Sequence, residues 1–239
     1  MDIGVKQDRD KTPELFDSYG DNYSETVNRS VAFTGLDVDF FTHVKAAYIL
    51  DLCRSSLGPP DQVRALDVGC GVGNFHGLLA PSLGSLSGVD VSSSSIERAK
   101  QRHPSVDYQA YDGRRLPYDD GAFDLAFTVC VMHHVDPAQW AEFASEMRRV
   151  LRAGGLALVF EHNPRNPLTL RAVNNCPFDE DAVLLRAETT AGLFTQAGFR
   201  NVTSRFILSV PAAGSAMRTL DRVFSRLPLG AQYYVRAEK

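Results

Sequence analysis

The chain has no apolar run of about 18 residues, the length a membrane-spanning helix needs, and no charged-then-apolar leader at Met1–Lys11. The expectation is a cytoplasmic protein with no membrane association. Its four cysteines, at 53, 70, 130 and 176, lie far apart with no C-x-x-C pair. That spacing argues against a zinc cluster and against a secreted disulfide framework, and no metal site is expected. Neither sign of charge is in large excess. A net charge of −4 offers no general attraction for nucleic acid, and no basic patch is present to track a phosphate backbone. Internal repeats and low-complexity tracts are also lacking, apart from the serines at 92–95. What remains is 239 residues, 44% hydrophobic and 23% charged, which suits one α/β domain with some decoration and a sizeable core.

The most informative stretch is Ala65-Leu66-Asp67-Val68-Gly69-Cys70-Gly71-Val72-Gly73-Asn74-Phe75. The apolar run Val63 to Val68 reads as a buried parallel strand, and the glycines at 69, 71 and 73 permit a tight turn that a ligand can approach closely. A helix from about Asn74 to Leu83 is expected next, with its free N–H groups directed at the turn. This is a nucleotide-type corner, but not one suited to a dinucleotide. Counting from Gly71 and Gly73, the third glycine of a G-x-G-x-x-G fingerprint would fall on His76, and Gly77 is one residue out of register. Asp67, two residues before the first glycine, would repel a diphosphate yet could accept from an ammonium, directly or through water. A ligand with an amino-acid end and a nucleoside end fits better, and S-adenosylmethionine is such a ligand.

Further along, acids stand at the expected strand ends. Leu86 to Asp90 reads as a second strand, and the Asp90 carboxylate can accept both hydroxyls of a ribose. Ser92 or Ser93 caps the next helix. Val106 to Tyr111 reads as a third strand ending at Asp112-Gly113, where the acid could accept from an adenine amino group. Phe123 to Cys130 reads as a fourth strand running into Val131-Met132-His133-His134, followed by a helix from Pro137 to Leu151. A fifth strand, Leu156 to Phe160, ends at Glu161-His162. Residues 162–187 read as a long irregular loop of the kind that forms lids. A helix over 188–197 and two late strands, 202–210 and 231–237, complete the pattern. Before the glycine corner, 1–12 reads as frayed. An amphipathic helix from Asp37 to about Leu57, capped by Asp37 or Asp39, follows the aromatics Phe16, Tyr19 and Tyr23. The expected organisation is therefore an N-terminal helical cover over 1–57 and an α/β domain over 58–239. That domain is a doubly wound, Rossmann-like sheet of seven strands, mostly parallel with an antiparallel last strand, binding its ligands at the carboxyl ends of the strands.

The D-x-G-x-G-x-G turn, Asp90, Asp112, the F-D-x8-H-H run and a helix ending R-x-L-R-x-G-G resemble class I S-adenosylmethionine-dependent methyltransferases, from about Val63 to the end. The paired histidines resemble the branch acting on quinones, sugars and natural products. The resemblance implies that Asp67, Gly69, Gly71 and Gly73 hold the methionine end of the cofactor. It implies further that Asp90 and Val91 hold the ribose, Asp112 and Gly113 the adenine, and Val129, Cys130 and His134 the side near the sulfonium. Tyr19 and Tyr23 resemble aromatics that close over the cofactor. The product would be S-adenosylhomocysteine, and the acceptor an oxygen or nitrogen of a small molecule. For a hydroxyl acceptor a histidine is a suitable general base. His133, His134 and His162 are the candidates, His133 or His162 being favoured, with Glu161 as an orienting or accepting carboxylate. A nucleic-acid substrate is not expected, because Cys130-Val131-Met132-His133 stands where an N-P-P-Y-type tetrapeptide would hold a flipped base. Two other readings are a catalytically silent cofactor-binding module and a nucleotide-sugar or nicotinamide enzyme. The protein is expected to be a monomer or a homodimer.

Overall fold

The computed structural model describes residues 23–210 and 214–239. Tyr19 lies outside the described residues, as does the side chain of Tyr23. In chain order the elements begin with α1 (Tyr23–Val31), α2 (Val38–Leu57), β1 (Arg64–Val68), α3 (His76–Leu79) and β2 (Ser85–Asp90). They continue with α4 (Ser93–Arg102), β3 (Asp107–Ala110), β4 (Phe123–Val129), α5 (Trp140–Val150) and β5 (Leu151–His162). The C-terminal part holds α6 (Pro167–Asn174), α7 (Ala187–Gln196), β6 (Arg200–Ile207), α8 (Ser215–Phe224) and β7 (Gln232–Glu238).

The strands form one sheet in the order β3-β2-β1-β4-β5-β7-β6. β1 pairs in parallel with β2 and β4, whereas β7 runs antiparallel to both β5 and β6. The expected architecture is thus present, antiparallel last strand included. The order reverses between β1 and β4, and that switch point is where an open α/β sheet leaves a crevice at its strand ends.

Alternation along each strand sends side chains to two cores. Ala65, Leu125, Phe127, Leu156, Leu158 and Phe160 pack with Val44, Tyr48, Ile49 and Cys53 of α2 and Ile96 of α4. Leu66, Val68, Ala126, Ala157 and Val159 pack with Phe143, Met147 and Val150 of α5 and Phe194 of α7. Because α2 is buried on the sheet, the first of these cores includes part of the expected N-terminal cover. Asp37 caps α2 by accepting from Phe40 N at 2.8 Å, and Ser92 caps α4 by accepting from Ser95 N at 3.1 Å.

The structure corrects three local expectations. The helix after the glycine turn is only four residues long, continued by a short 3-10 turn at Ala80–Ser82. Pro81 removes an N–H from that stretch, which shortens the α-helix. Residues 162–187 are not irregular throughout. Asn166 accepts from Leu168 N and Thr169 N, and Pro167 starts α6. The Asn-Pro pair is therefore a cap followed by a first helical residue, not a breaker. Finally, a helix, α8, lies between the two late strands. Its inward side carries an acid, Asp221, whereas its apolar residues Met217, Leu220, Val223 and Phe224, which recur at helical spacing, lie exposed.

Asp221 is fully buried. Its Oδ2 accepts from Tyr48 Oη and from Leu208 N, each at 2.8 Å, and its Oδ1 accepts from Ser209 N at 2.8 Å. One carboxylate thereby joins α2, the chain leaving β6, and α8. The α6 region is tied down in a similar way: Asn163 Nδ2 donates to Gly230 O at 2.7 Å, and Asn166 Nδ2 donates to Leu229 O at 2.8 Å.

Candidate active site

The strand ends open on a cavity of about 850 Å³, within the range of small-molecule sites. It follows the carboxyl edge of the sheet from β3 to β5. Its walls come from the glycine turn after β1, from Asp90 and Val91 after β2, and from Tyr111 to Arg114 after β3. Val129 to Val135 after β4, His162, the α6 region and residues of the 32–45 stretch complete it. Twelve residues expected at the site line this one cavity: Asp67, Gly69, Gly71, Asp90, Val91, Asp112, Gly113, Val129, Cys130, His133, His134 and His162. Gly73 and Glu161 are not among the lining residues.

The glycine turn is shaped by its neighbours. Gly69 has φ +79°, and a Cβ there would meet Val131 Cγ2 at 2.5 Å. Gly71 has φ +52° with open space where its Cβ would stand. That space belongs to the cavity. Asp90 holds the turn from the side, its Oδ2 accepting from Gly71 N at 2.8 Å and its Oδ1 from Ser92 N at 2.9 Å. Burial raises the Asp90 carboxyl above its usual range, opposed by these backbone N–H groups. Cys130, at the end of β4, adopts φ +57°, a conformation that costs energy for a residue with a Cβ and recurs at functional sites.

Asp67 is held differently from the sequence expectation. Its Oδ2 lies 3.0 Å from His76 Nε2, and His76 Nδ1 lies 2.5 Å from Tyr108 Oη. Part of its accepting capacity thus serves this buried relay behind the turn. Burial raises the Asp67 carboxyl, while His76 works against that shift. Asp112 is also partly committed, with Oδ1 accepting from Arg114 N at 2.9 Å and Arg115 N at 3.0 Å. These two N–H groups lower its pKa.

At the far end stands a histidine–carboxylate cluster. Glu161 is 1% exposed. Its Oε1 accepts from Val131 N at 3.1 Å and Met132 N at 2.8 Å, while Oε2 lies 2.6 Å from His133 Nδ1. His133 Nε2 faces Asp179 Oδ1 at 3.4 Å. Burial alone would lower the His133 pKa, but Glu161 and Asp179 outweigh it and raise the ring to about 10. His133 therefore does not stand as a free neutral base. Burial and the neighbouring His133 charge push His134 down to about 3 and His162 down to about 4, so both are neutral near pH 7. The His162 ring is 5.1 Å from that of His133, and Gln232 Nε2 lies 3.5 Å from His162 Nδ1.

Sequence reasoning missed four residues. Asp179 comes from the stretch read as loop, and Gln232 from the first position of β7. Tyr108 sits on β3 behind the turn. Lys45 is 8% exposed, lines the cavity, and lies 3.9 Å from Cys130 Sγ. For Lys45 a signal was available, since it falls on the buried stripe with Phe41, Val44 and Tyr48, where a charge is unusual.

Residues 65–155 match the family described as Methyltransferase domain. That match covers the glycine turn, Asp90, Asp112 and the paired histidines on the strand ends described above. Residues 65–155 thus have the sequence of a methyltransferase domain, and the fold around them is that of class I S-adenosylmethionine-dependent methyltransferases. An uncharacterized methyltransferase of Synechocystis is 38% identical over 104 residues, 43% of this chain and 49% of that protein. The 2-methyl-6-phytyl-1,4-hydroquinone methyltransferase of the same organism is 32% identical over 111 residues, 45% of this chain and 34% of the relative. The chain thus spans about half the length, or less, of these two curated relatives. A methyltransferase structure from Thermotoga maritima, described as a possible histamine N-methyltransferase, superposes with TM-score 0.66 at 20% identity. That superposition covers 95% of this chain and 99% of the other, and it speaks to the fold.

Proposed function

We propose that the protein transfers a methyl group from S-adenosylmethionine to an oxygen or nitrogen of a small-molecule acceptor. The observation that carries this reading is the single cavity joining the glycine turn and Asp90 to the polar cluster around His162. The quinol substrate named for the Synechocystis relative supports a small molecule. Bound S-adenosylmethionine would supply an electrophilic methyl group on a sulfonium, open to in-line displacement.

The residues fit such a ligand. The open space at Gly71 admits a backbone-close group. Asp90 spends two accepting positions on Gly71 N and Ser92 N, which leaves accepting capacity for a ribose diol. Phe40, Phe41 and Phe75 furnish aromatic surface along the cavity; such surface suits a cation that is neutralised on reaction. Among the candidate histidines, His162 is the proposed base. It lines the cavity and belongs to no ion pair among the described residues. Turning the Gln232 amide over would direct its otherwise unpartnered Oε1 at His162 Nδ1–H and leave Nε2 to accept a proton. Glu161 and His133 are then positioning residues, holding the turn after β4 against the cavity.

Two expected results test this. Asp90→Ala weakens binding of S-adenosylhomocysteine by about 1–3 kcal/mol in calorimetric titration, and NAD does not bind the unsubstituted protein. Binding of NAD alone, or undiminished affinity in the variant, contradicts the cofactor assignment. His162→Asn leaves that affinity intact and lowers turnover by about 100-fold or more with a hydroxyl acceptor. Native turnover in this variant would mean that alignment without a base suffices.

A further inference from the structure

We propose that His133 Nε2, His134 Nε2 and Asp179 Oδ1 form a binding site for one divalent transition-metal ion of the zinc class, on the acceptor side of the cavity. The three ligand atoms all lie within 4.8 Å of one another. Asp179 Oδ1 is 3.4 Å from His133 Nε2 and 3.6 Å from His134 Nε2. Four ligands around zinc at about 2.0–2.1 Å stand roughly 3.3–3.4 Å apart along each edge of the tetrahedron. The two separations lie near that edge and exceed the about 2.7–2.9 Å of a charge-assisted hydrogen bond.

The surroundings are those of a metal ligand set. A ligating imidazole ordinarily donates its other N–H to a carboxylate, which fixes the tautomer and the ring plane. Glu161 Oε2 lies 2.6 Å from His133 Nδ1 and is itself anchored through Oε1 to two backbone N–H groups. With Nδ1 so engaged, Nε2 is the ligating nitrogen. Asp179 ends the 3-10 turn Pro177–Asp179, where its N–H donates to Cys176 O at 3.0 Å. Val183 N donates to His133 O at 2.8 Å, tying the segment after Asp179 to the histidine turn. The carboxylate and the rings are thus held by backbone contacts on both sides. Imidazole and carboxylate together suit zinc, cobalt(II) or iron(II) better than magnesium.

All three side chains line the cavity, so a fourth coordination position can open on the acceptor space, as it does in catalytic zinc sites. An ion there would take an acceptor oxygen as a ligand. This deepens the methyl-transfer reading and rests on it: the acceptor class becomes a hydroxylated compound, one oxygen of which takes that fourth position. The lack of C-x-x-C pairs does not reveal such a site, because Asp179 reaches the histidines only through the fold.

The test is titration of the chelator-treated full chain with Zn²⁺ by calorimetry, and with Co²⁺ by visible absorption. The expected result is one ion per chain, the strong visible band of four-coordinate cobalt, and release of a proton from the His133 ring. Asp179→Asn and His134→Gln abolish the band, and Glu161→Gln weakens affinity about 10–100-fold. Circular dichroism shows which variants remain folded, and His134→Gln, at the least buried of the three positions, is the decisive one should the others unfold. No binding by the unsubstituted chain overturns the proposal, as does a cobalt spectrum unchanged in folded His134→Gln, which marks adventitious binding elsewhere. S-adenosylhomocysteine titrated in parallel separates the two readings. If it binds while zinc does not, only the metal site falls. If it does not bind, the methyl-transfer reading falls.

Discussion

Replacing Glu161 with alanine is expected to lower the melting temperature by on the order of 10 °C and to weaken cofactor binding as well. The side chain accepts from Val131 N, Met132 N and His133 Nδ1 in a site that is 1% exposed. Its removal leaves three donors without their partner, and breaking a buried charged pair costs about 3–5 kcal/mol. In a domain of this size each kcal/mol is worth about 2–4 °C. Cofactor affinity should follow because Val131, positioned by that carboxylate, packs directly over Gly69. Glu161→Gln keeps one accepting oxygen for the two backbone N–H groups and should recover part of the loss. Thermal melts and calorimetry of both variants provide the check. An alanine variant that melts within about 2 °C of the parent would show that the cluster contributes little to holding the turn after β4.

The second large effect is expected at Asp221→Ala, far from the proposed chemistry. The carboxylate is fully buried and satisfies Tyr48 Oη, Leu208 N and Ser209 N. Each buried donor left unpaired costs about 1–3 kcal/mol. Admission of water recovers part of this, so a loss of about 3 kcal/mol or more in denaturant unfolding is expected. Asp221→Asn should remain destabilised, because its NH2 must face the same donors. Tyr48→Phe tests the hydroxyl alone and should cost about 1 kcal/mol. Full stability in Asp221→Ala would mean that α8 and the chain after β6 are held by apolar packing, with the carboxylate dispensable.

What could be seen in the sequence was local. Strands β1 and β4 announce themselves as apolar runs, and Gly69 and Gly71 as residues that a tight turn requires. Asp90 follows its strand at the distance one βα unit dictates. The Asp37 and Ser92 caps satisfy N–H groups a few residues away, so spacing alone suffices to find them. Errors arose where a local signal has two physical meanings. Asn166-Pro167 can break a chain or begin a helix, and only the carbonyl at Leu229, which receives the Asn166 side chain, shows the anchoring that goes with the second outcome.

By itself, then, the sequence determined the succession of strands along the chain, the cavity-lining glycine turn and the acids on the strand ends, since each depends on contacts within one βα unit. Only the tertiary structure decided which polar groups share a site. Asp179 reaches His133 and His134 across more than forty residues of chain, Asp221 reaches Tyr48 across 173 positions, and Lys45 approaches Cys130 across 85. Such pairings carry no periodicity, because they are set by where separate elements pack and by the cost of burying a polar group without a partner.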